Sequence, residues 1–134
     1  MKNYFELAKV VGLLVLSTCF LSCNKDQGSS FPLDGIYAGV YLSTGEIQES
    51  GEVRLAFAGF GFSGESMGTV RTICYGNYQI SADTINFTNL CSTPDSLLLL
   101  VGKYKMATAG DSLYFTRTIT GTLNYEEHFN LKKQ

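Results

Sequence analysis

From Gly35 onward, apolar and polar residues alternate in short runs separated by turn residues, the signature of half-buried β-strands. The clearest run is Cys74 to Cys91. Tyr78 and Ile80 alternate in one arm, Ile85 and Phe87 in the other, and Ser81-Ala82-Asp83-Thr84 forms the polar turn of a hairpin whose ends are both cysteines. Before it, Gly35 to Leu42 sets Ile36, Ala38, Val40 and Leu42 on one face. Glu52 to Phe57 follows with Val53, Leu55 and Phe57; Phe60 to Ser63 is a short partner, and Thr69 to Cys74 leads into the hairpin. After it, Leu97 to Lys105 contains the longest apolar run, Leu97 to Val101, which predicts a strand covered on both faces because Pro94 and Gly102 leave too little length for a helix. Gly110-Asp111 turns the chain into Ser112 to Thr118 with Leu113 and Phe115 inward. Gly121 turns it into a last strand with Leu123, Tyr125, Glu127, Phe129 and Leu131 on one face. Eight or nine short strands with regular turns predict an all-β fold, an antiparallel barrel or sandwich, with no helical period in the mature chain.

The amino terminus follows another pattern. Lys2 and Lys9 precede an apolar run from Val10 to Leu21, too short at 12 residues to span a bilayer as a helix. Residues 1–22 therefore read as a signal peptide. Phe20-Leu21-Ser22-Cys23 resembles a bacterial lipobox, with Phe20 where leucine is usual. That resemblance implies lipid attachment at Cys23 and cleavage before it; Thr18 before Cys19 makes Cys19 the poorer candidate. Residues 23–30 then form a lipidated cysteine and a polar, flexible tether, and the folded domain covers residues 31–134. The expected location is the outer membrane. Asn24 after the cysteine supports that sorting, and Lys25-Asp26 partly resembles a surface-export signal, so the periplasmic face and the cell surface both stay open.

Charge and cysteine usage narrow the function further. Without residues 1–22, which include Lys2, Lys9 and Glu6, eight basic and eleven acidic residues remain, a charge near −3. With no basic run to neutralise phosphates, nucleic acid is disfavoured as a partner. Cys74 and Cys91 are an even pair in an oxidising compartment and read as a disulfide. A metal or redox pair is the alternative, but neither a histidine neighbour nor a Cys-x-x-Cys spacing accompanies them.

The succession Gly35-x-Tyr37-x-Gly39, Cys74-x-Gly76-x-Tyr78-x-Ile80, Ile85-x-Phe87, Cys91, Leu97 to Leu100, Gly102-x-Tyr104, Gly110-Asp111-x-Leu113 and Leu131-Lys132 resembles the small lipocalin-like (calycin-type) lipoproteins of Bacteroidetes. The resemblance covers the mature domain and rests on structural motifs. It implies an up-and-down antiparallel barrel of about eight strands and a Cys74–Cys91 disulfide. META-type domains are a second resemblance, through Gly-x-Tyr, a single cysteine and Gly-Asp-x-Leu; this chain lacks their longer helical stretch after the cysteine.

Chemistry-bearing motifs are sparse. Gly59-Phe60-Gly61-Phe62-Ser63-Gly64 spells a dinucleotide fingerprint, but strand-like sequence follows where a helix is required, so the glycines are read as turn and bend residues. His128 shares its face with Glu126 and Asn130 and is expected to be solvated, while Glu126 and Glu127 point to opposite faces and form no carboxylate pair. Asn86-Phe87-Thr88 matches a glycosylation sequon, yet Phe87 looks inward and the leader is bacterial, so it is read as chance. No catalytic residue, metal ligand or cofactor is expected, and the chain reads as non-enzymatic. Aromatic side chains remain. Seven tyrosines and seven phenylalanines of the mature chain could fill a small barrel or line a pocket, whose candidate walls are Tyr37, Tyr41, Phe62, Tyr78, Tyr104 and Phe115. Two functions follow: a lipid-anchored barrel binding a small apolar ligand, or a filled barrel acting on an envelope protein by contact.

Overall fold

The computed structural model describes residues 32–68 and 71–134. The signal peptide, Cys23, the tether, the proposed domain start at Phe31, and Thr69 and Val70 lie outside the described residues. Eight antiparallel strands close a barrel in sequence order: β1 (Gly35–Gly45), β2 (Ser50–Ala58), β3 (Gly61–Gly68), β4 (Gly76–Ser81), β5 (Thr84–Asn89), β6 (Gly102–Ala109), β7 (Ser112–Ile119) and β8 (Tyr125–Lys133). β8 returns to pair with β1 over Tyr37↔Lys133 to Gly45↔Tyr125, so both outer strands lose their free edges. Alternate connections lie at alternate ends of such a barrel. The β1–β2, β3–β4, β5–β6 and β7–β8 connections make the upper end; the tight β2–β3, β4–β5 and β6–β7 turns make the lower end, where the chain also enters.

Alternation within each strand selects the core. Val53, Leu55 and Phe57 of β2, Ile85 and Phe87 of β5, Leu113 and Phe115 of β7, and Phe129 and Leu131 of β8 are buried, as their spacing predicts. β1 points the other way from its aliphatic pattern. Ile36, Val40 and Leu42 are exposed, and the inward row is Tyr37, Gly39, Tyr41 and Ser43. Two rings inside outweigh the aliphatics because an eight-stranded barrel is filled by a few large side chains. Gly39 belongs to this row through closeness: a Cβ there would stand 2.0 Å from the Asn130 carbonyl oxygen of β8. Gly76 of β4 is equally tight against Thr88, also at 2.0 Å. The Gly-x-Tyr spacing thus marks where neighbouring backbones approach too closely for a side chain.

The Leu97 run is not a strand. Asp95–Leu97 forms one 3-10 turn, Leu98 to Leu100 are buried in irregular backbone with Leu100 at φ 57°, and β6 begins only at Gly102. Continuous apolarity is shared by a buried strand and a buried plug, so periodicity cannot separate them. Here the run is a plug. β3 and β4 pair over only Gly61↔Asn77 and Phe62↔Gly76, leaving the wall open above. Thr72 and Leu98 form a lone parallel bridge across that region, reinforced by Thr72 N–H to Leu97 O (3.1 Å) and Leu99 N–H to Thr72 O (2.9 Å). Ile73 packs beside them under Gly64. Leu123 also departs from expectation: it is exposed in the β7–β8 turn, not part of the inward row.

A Cys74–Cys91 disulfide joins the two long upper connections, with Cα atoms 6.3 Å apart. It closes the β4–β5 hairpin at its open end, and β4–β5 pairing runs from Gly76↔Asn89 to Ser81↔Thr84. Closing a loop with a sequence separation of 17 stabilises the fold by about 3 kcal/mol in the chain-entropy description. Replacing both cysteines by serine is therefore expected to lower the unfolding free energy by that order, read as a lower urea midpoint, and reductant should shift the wild type to the same midpoint.

Candidate functional site

A fully buried carboxylate occupies the upper part of the barrel. The alternation that buries Phe129 and Leu131 also turns Glu127 inward, leaving it 0% exposed. Its cross-strand neighbours are Ser43 on β1 and Arg117 on β7. Arg117 reaches it because Leu113, Phe115 and Arg117 share the inner face of β7. Arg71 comes from the β3–β4 connection and closes over the same carboxylate from above.

Both carboxylate oxygens of Glu127 are engaged. Oε2 accepts from Arg117 Nη2 (2.6 Å), Arg117 Nε (3.0 Å) and the Tyr104 hydroxyl (2.7 Å), while Oε1 accepts from Arg71 Nη2 (2.5 Å). Arg71 Nη2 also donates to the Tyr41 hydroxyl (2.8 Å), and Arg71 Nε donates to Glu49 Oε2 (3.2 Å). The remaining Arg117 nitrogen, Nη1, donates to the Val101 carbonyl, and the guanidinium lies over the Tyr104 ring with Cζ 4.4 Å from its centroid. Two arginines meet two glutamates, so the cluster is balanced in charge and cross-linked by charge-assisted hydrogen bonds.

The cluster shapes the protonation of its members. Burial first, and the charge of Glu127 second, push the Tyr41 phenol up to about 12. The same two causes, in the same order, raise Tyr104 well beyond its ordinary value. Burial works against the Arg71 guanidinium, but the hydrogen bond and charge of Glu127 outweigh it and hold Arg71 above its usual range. At neutral pH both phenols are neutral and the Arg71 guanidinium is charged. The carboxylate is saturated with donors, which makes the cluster a brace linking β1, β6, β7, β8 and the β3–β4 connection.

Of the six aromatic residues named as pocket walls, five are buried and Tyr37 is half-buried against the core. Phe62 meets Phe87 edge-on at 5.0 Å, Phe87 meets Phe115 at 5.5 Å, Phe115 meets Phe129 at 6.1 Å, and Phe129 meets Tyr41 at 4.8 Å between centroids. These rings run through the barrel and onto the charged cluster, where Tyr41 and Tyr104 supply hydroxyls. Tyr78 serves the lower end: its hydroxyl accepts from Leu33 N–H (2.6 Å) and donates to the Gly59 carbonyl (2.6 Å), pinning the incoming chain. Gly61 and Gly64 of the fingerprint lie on strand β3. His128 sits on the outer face, 3.4 Å from Glu126.

Glu127, Arg117, Arg71 and Glu49 were not singled out by sequence reasoning. For two of them a signal existed: Glu127 and Arg117 occupy inward positions of strands whose neighbouring inward residues are apolar. Arg71 and Glu49 lie in connections, where no periodicity marks direction. Compared with known proteins, the chain matches no family model, no curated protein and no solved structure.

Removing the Glu127 charge leaves two guanidiniums facing each other in the barrel. Glu127→Gln is expected to lower stability by about 3–5 kcal/mol, and Glu127→Leu combined with Arg117→Met should recover much of that loss, both read by urea unfolding. The pH response has a defined sign. A phenol with a raised folded-state pKa favours the folded state in full below about pH 10, and that contribution disappears as pH rises through about 12 for Tyr41. Stability is thus expected to fall between pH 10 and 12, and Tyr41→Phe should make the fall shallower in a pH series of denaturation midpoints.

Proposed function

We propose that this chain is a non-enzymatic, lipid-anchored module of the cell envelope that acts on a protein partner through its upper rim. The observation that carries the reading is the polarity of the barrel. Its lower end receives the chain, where Tyr78 holds Leu33, and exposes Phe60 and Ile36, while its upper end displays five large apolar side chains, Met67, Tyr75, Leu90, Leu97 and Leu123. Exposed apolar clusters at one pole are the usual mark of a contact surface. With a lipid on Cys23, an extended chain to Leu33 reaches about 35 Å at most, so the lower end is the tethered end and the rim is the end opposite the tether. Acylation on more than one chain makes such anchoring persistent.

The lipobox and the lipocalin-like motif order support an outer-membrane lipoprotein, on either leaflet. The ring contacts through the barrel favour a filled interior over an apolar-ligand carrier, because a guest would have to displace Phe87, Phe115 or Phe129 from mutual contact.

Intact-mass analysis of the purified protein is expected to show a chain beginning at Cys23 with added acyl mass, and Cys23→Ala should move the protein from the membrane to the soluble fraction. Native mass spectrometry of the same preparation should show no apolar guest. An unacylated wild type would overturn the anchor, and a guest released on denaturation would restore the carrier reading.

A further inference from the structure

The barrel wall has a second interruption. β6 and β7 pair from Ala109↔Ser112 up to Lys105↔Thr116 and no further, although both strands continue. The next two rungs, Tyr104 with Arg117 and Lys103 with Thr118, are unmade. The two gaps are treated differently. The β3–β4 gap is plugged by Ile73 and Leu98 to Leu100 behind a disulfide, whereas the β6–β7 gap is blocked only from inside, by the Arg117 side chain reaching the Val101 carbonyl. Outside, it opens as a cleft of about 470 Å³.

The residues around this cleft are of one kind. Arg117 and Tyr104 form its floor; Lys103, Lys105, Thr84, Thr116 and Thr118 form its sides, and Asp83 stands at its rim. Lys103 and Lys105 are two residues apart on β6 and both exposed, so their side chains leave the same face about 7 Å apart. Register places Thr84 and Thr116 on either side of Lys105, and Asn86 beside Lys103. Neither lysine is in an ion pair among the described residues, whereas Arg54 on the outer wall pairs with Glu65. Arg117 adds a guanidinium on the floor whose charge is matched by Glu127 beneath it. Two unpaired ammonium groups therefore flank a recess rich in hydroxyls, with one carboxylate at its edge.

We propose that the β6–β7 cleft binds a small hydroxylated anion, a sugar phosphate or sugar acid, outside the barrel. Lys103 and Lys105 take the anionic group by charge-assisted hydrogen bonds. Thr84, Thr116 and Thr118 supply hydroxyls to the sugar, and the Asp83 carboxylate accepts from a sugar hydroxyl and orients the ligand with its charge toward β6. This site is independent of the lipid anchor and of the apolar rim.

Isothermal titration of the purified, oxidised protein with glucose 1-phosphate, glucuronate and glucose tests the assignment. Both anions should bind and glucose should not. Lys103→Gln with Lys105→Gln should weaken anion binding about tenfold or more, with an unchanged urea midpoint because both side chains are exposed. Thr116→Val with Thr118→Val should weaken glucose 1-phosphate while leaving inorganic phosphate unaffected. Competition by phosphatidylcholine vesicles containing phosphatidylinositol separates the sources: effective competition assigns a lipid headgroup, and its absence assigns a soluble ligand. Failure of both anions to bind, or equal binding by the lysine variant, would overturn the proposal.

Discussion

A carboxylate with no access to water sets the terms for the upper half of this barrel. Glu127 can be ionised there only if it is surrounded by donors, because an uncompensated buried charge costs several kcal/mol. The fold meets that demand from three strands and one connection. Arg117 and Tyr41 come from the two strands that flank β8, Tyr104 from β6 beyond β7, and Arg71 from the β3–β4 connection. Each donor must be placed to within hydrogen-bond tolerance, so the cluster ties the positions of elements distant in sequence. An apolar residue at the same position could pack with the rings but would not dictate where the β3–β4 connection lies.

That connection matters because the wall is incomplete beside it. β3 and β4 share two rungs, and the space above is filled by Ile73 and the leucines of the β5–β6 connection. Arg71 anchors one side of the plug to Glu127 and Glu49; the disulfide anchors it at Cys74 to Cys91. The plug is thus held by an electrostatic brace and by a covalent link on residues three apart. The division of labour follows from chemistry. Apolar burial fills volume without specifying direction, whereas the arginine and the disulfide specify direction with little volume.

Most of the fold was legible in the chain because strand alternation and turn residues are local signals. The hairpin from Gly76 to Asn89, the inward rows of β2 and β7, the inward Phe129 and Leu131 of β8, and a count of eight or nine strands, against the eight of the barrel, all follow from it. Two features were not legible in those terms. The Leu97 to Val101 run is apolar for a reason set by a distant gap in β3–β4 pairing, and β1 faces inward with Tyr37 and Tyr41 although its aliphatic residues are as regular. The charged cluster was half legible. Alternation in β8 places Glu127 on the same face as Phe129 and Leu131, where a buried acid requires cations; Arg71 sits in a connection, where nothing marks which way its side chain turns.

The same reasoning bears on the open β6–β7 seam. Gly102 starts β6 at φ 76°, a backbone conformation that costs little only for glycine, two residues before the unmade rung of Tyr104 and Arg117. Beside that rung the Arg117 side chain reaches the Val101 carbonyl and lies over Tyr104. There it gives Glu127 two donors, while Arg71 gives one from above. The interruption in the wall coincides with the place where Arg117 braces the carboxylate from inside, and the polar cleft outside, with Lys103 and Lys105 at its sides, is the outer face of that place.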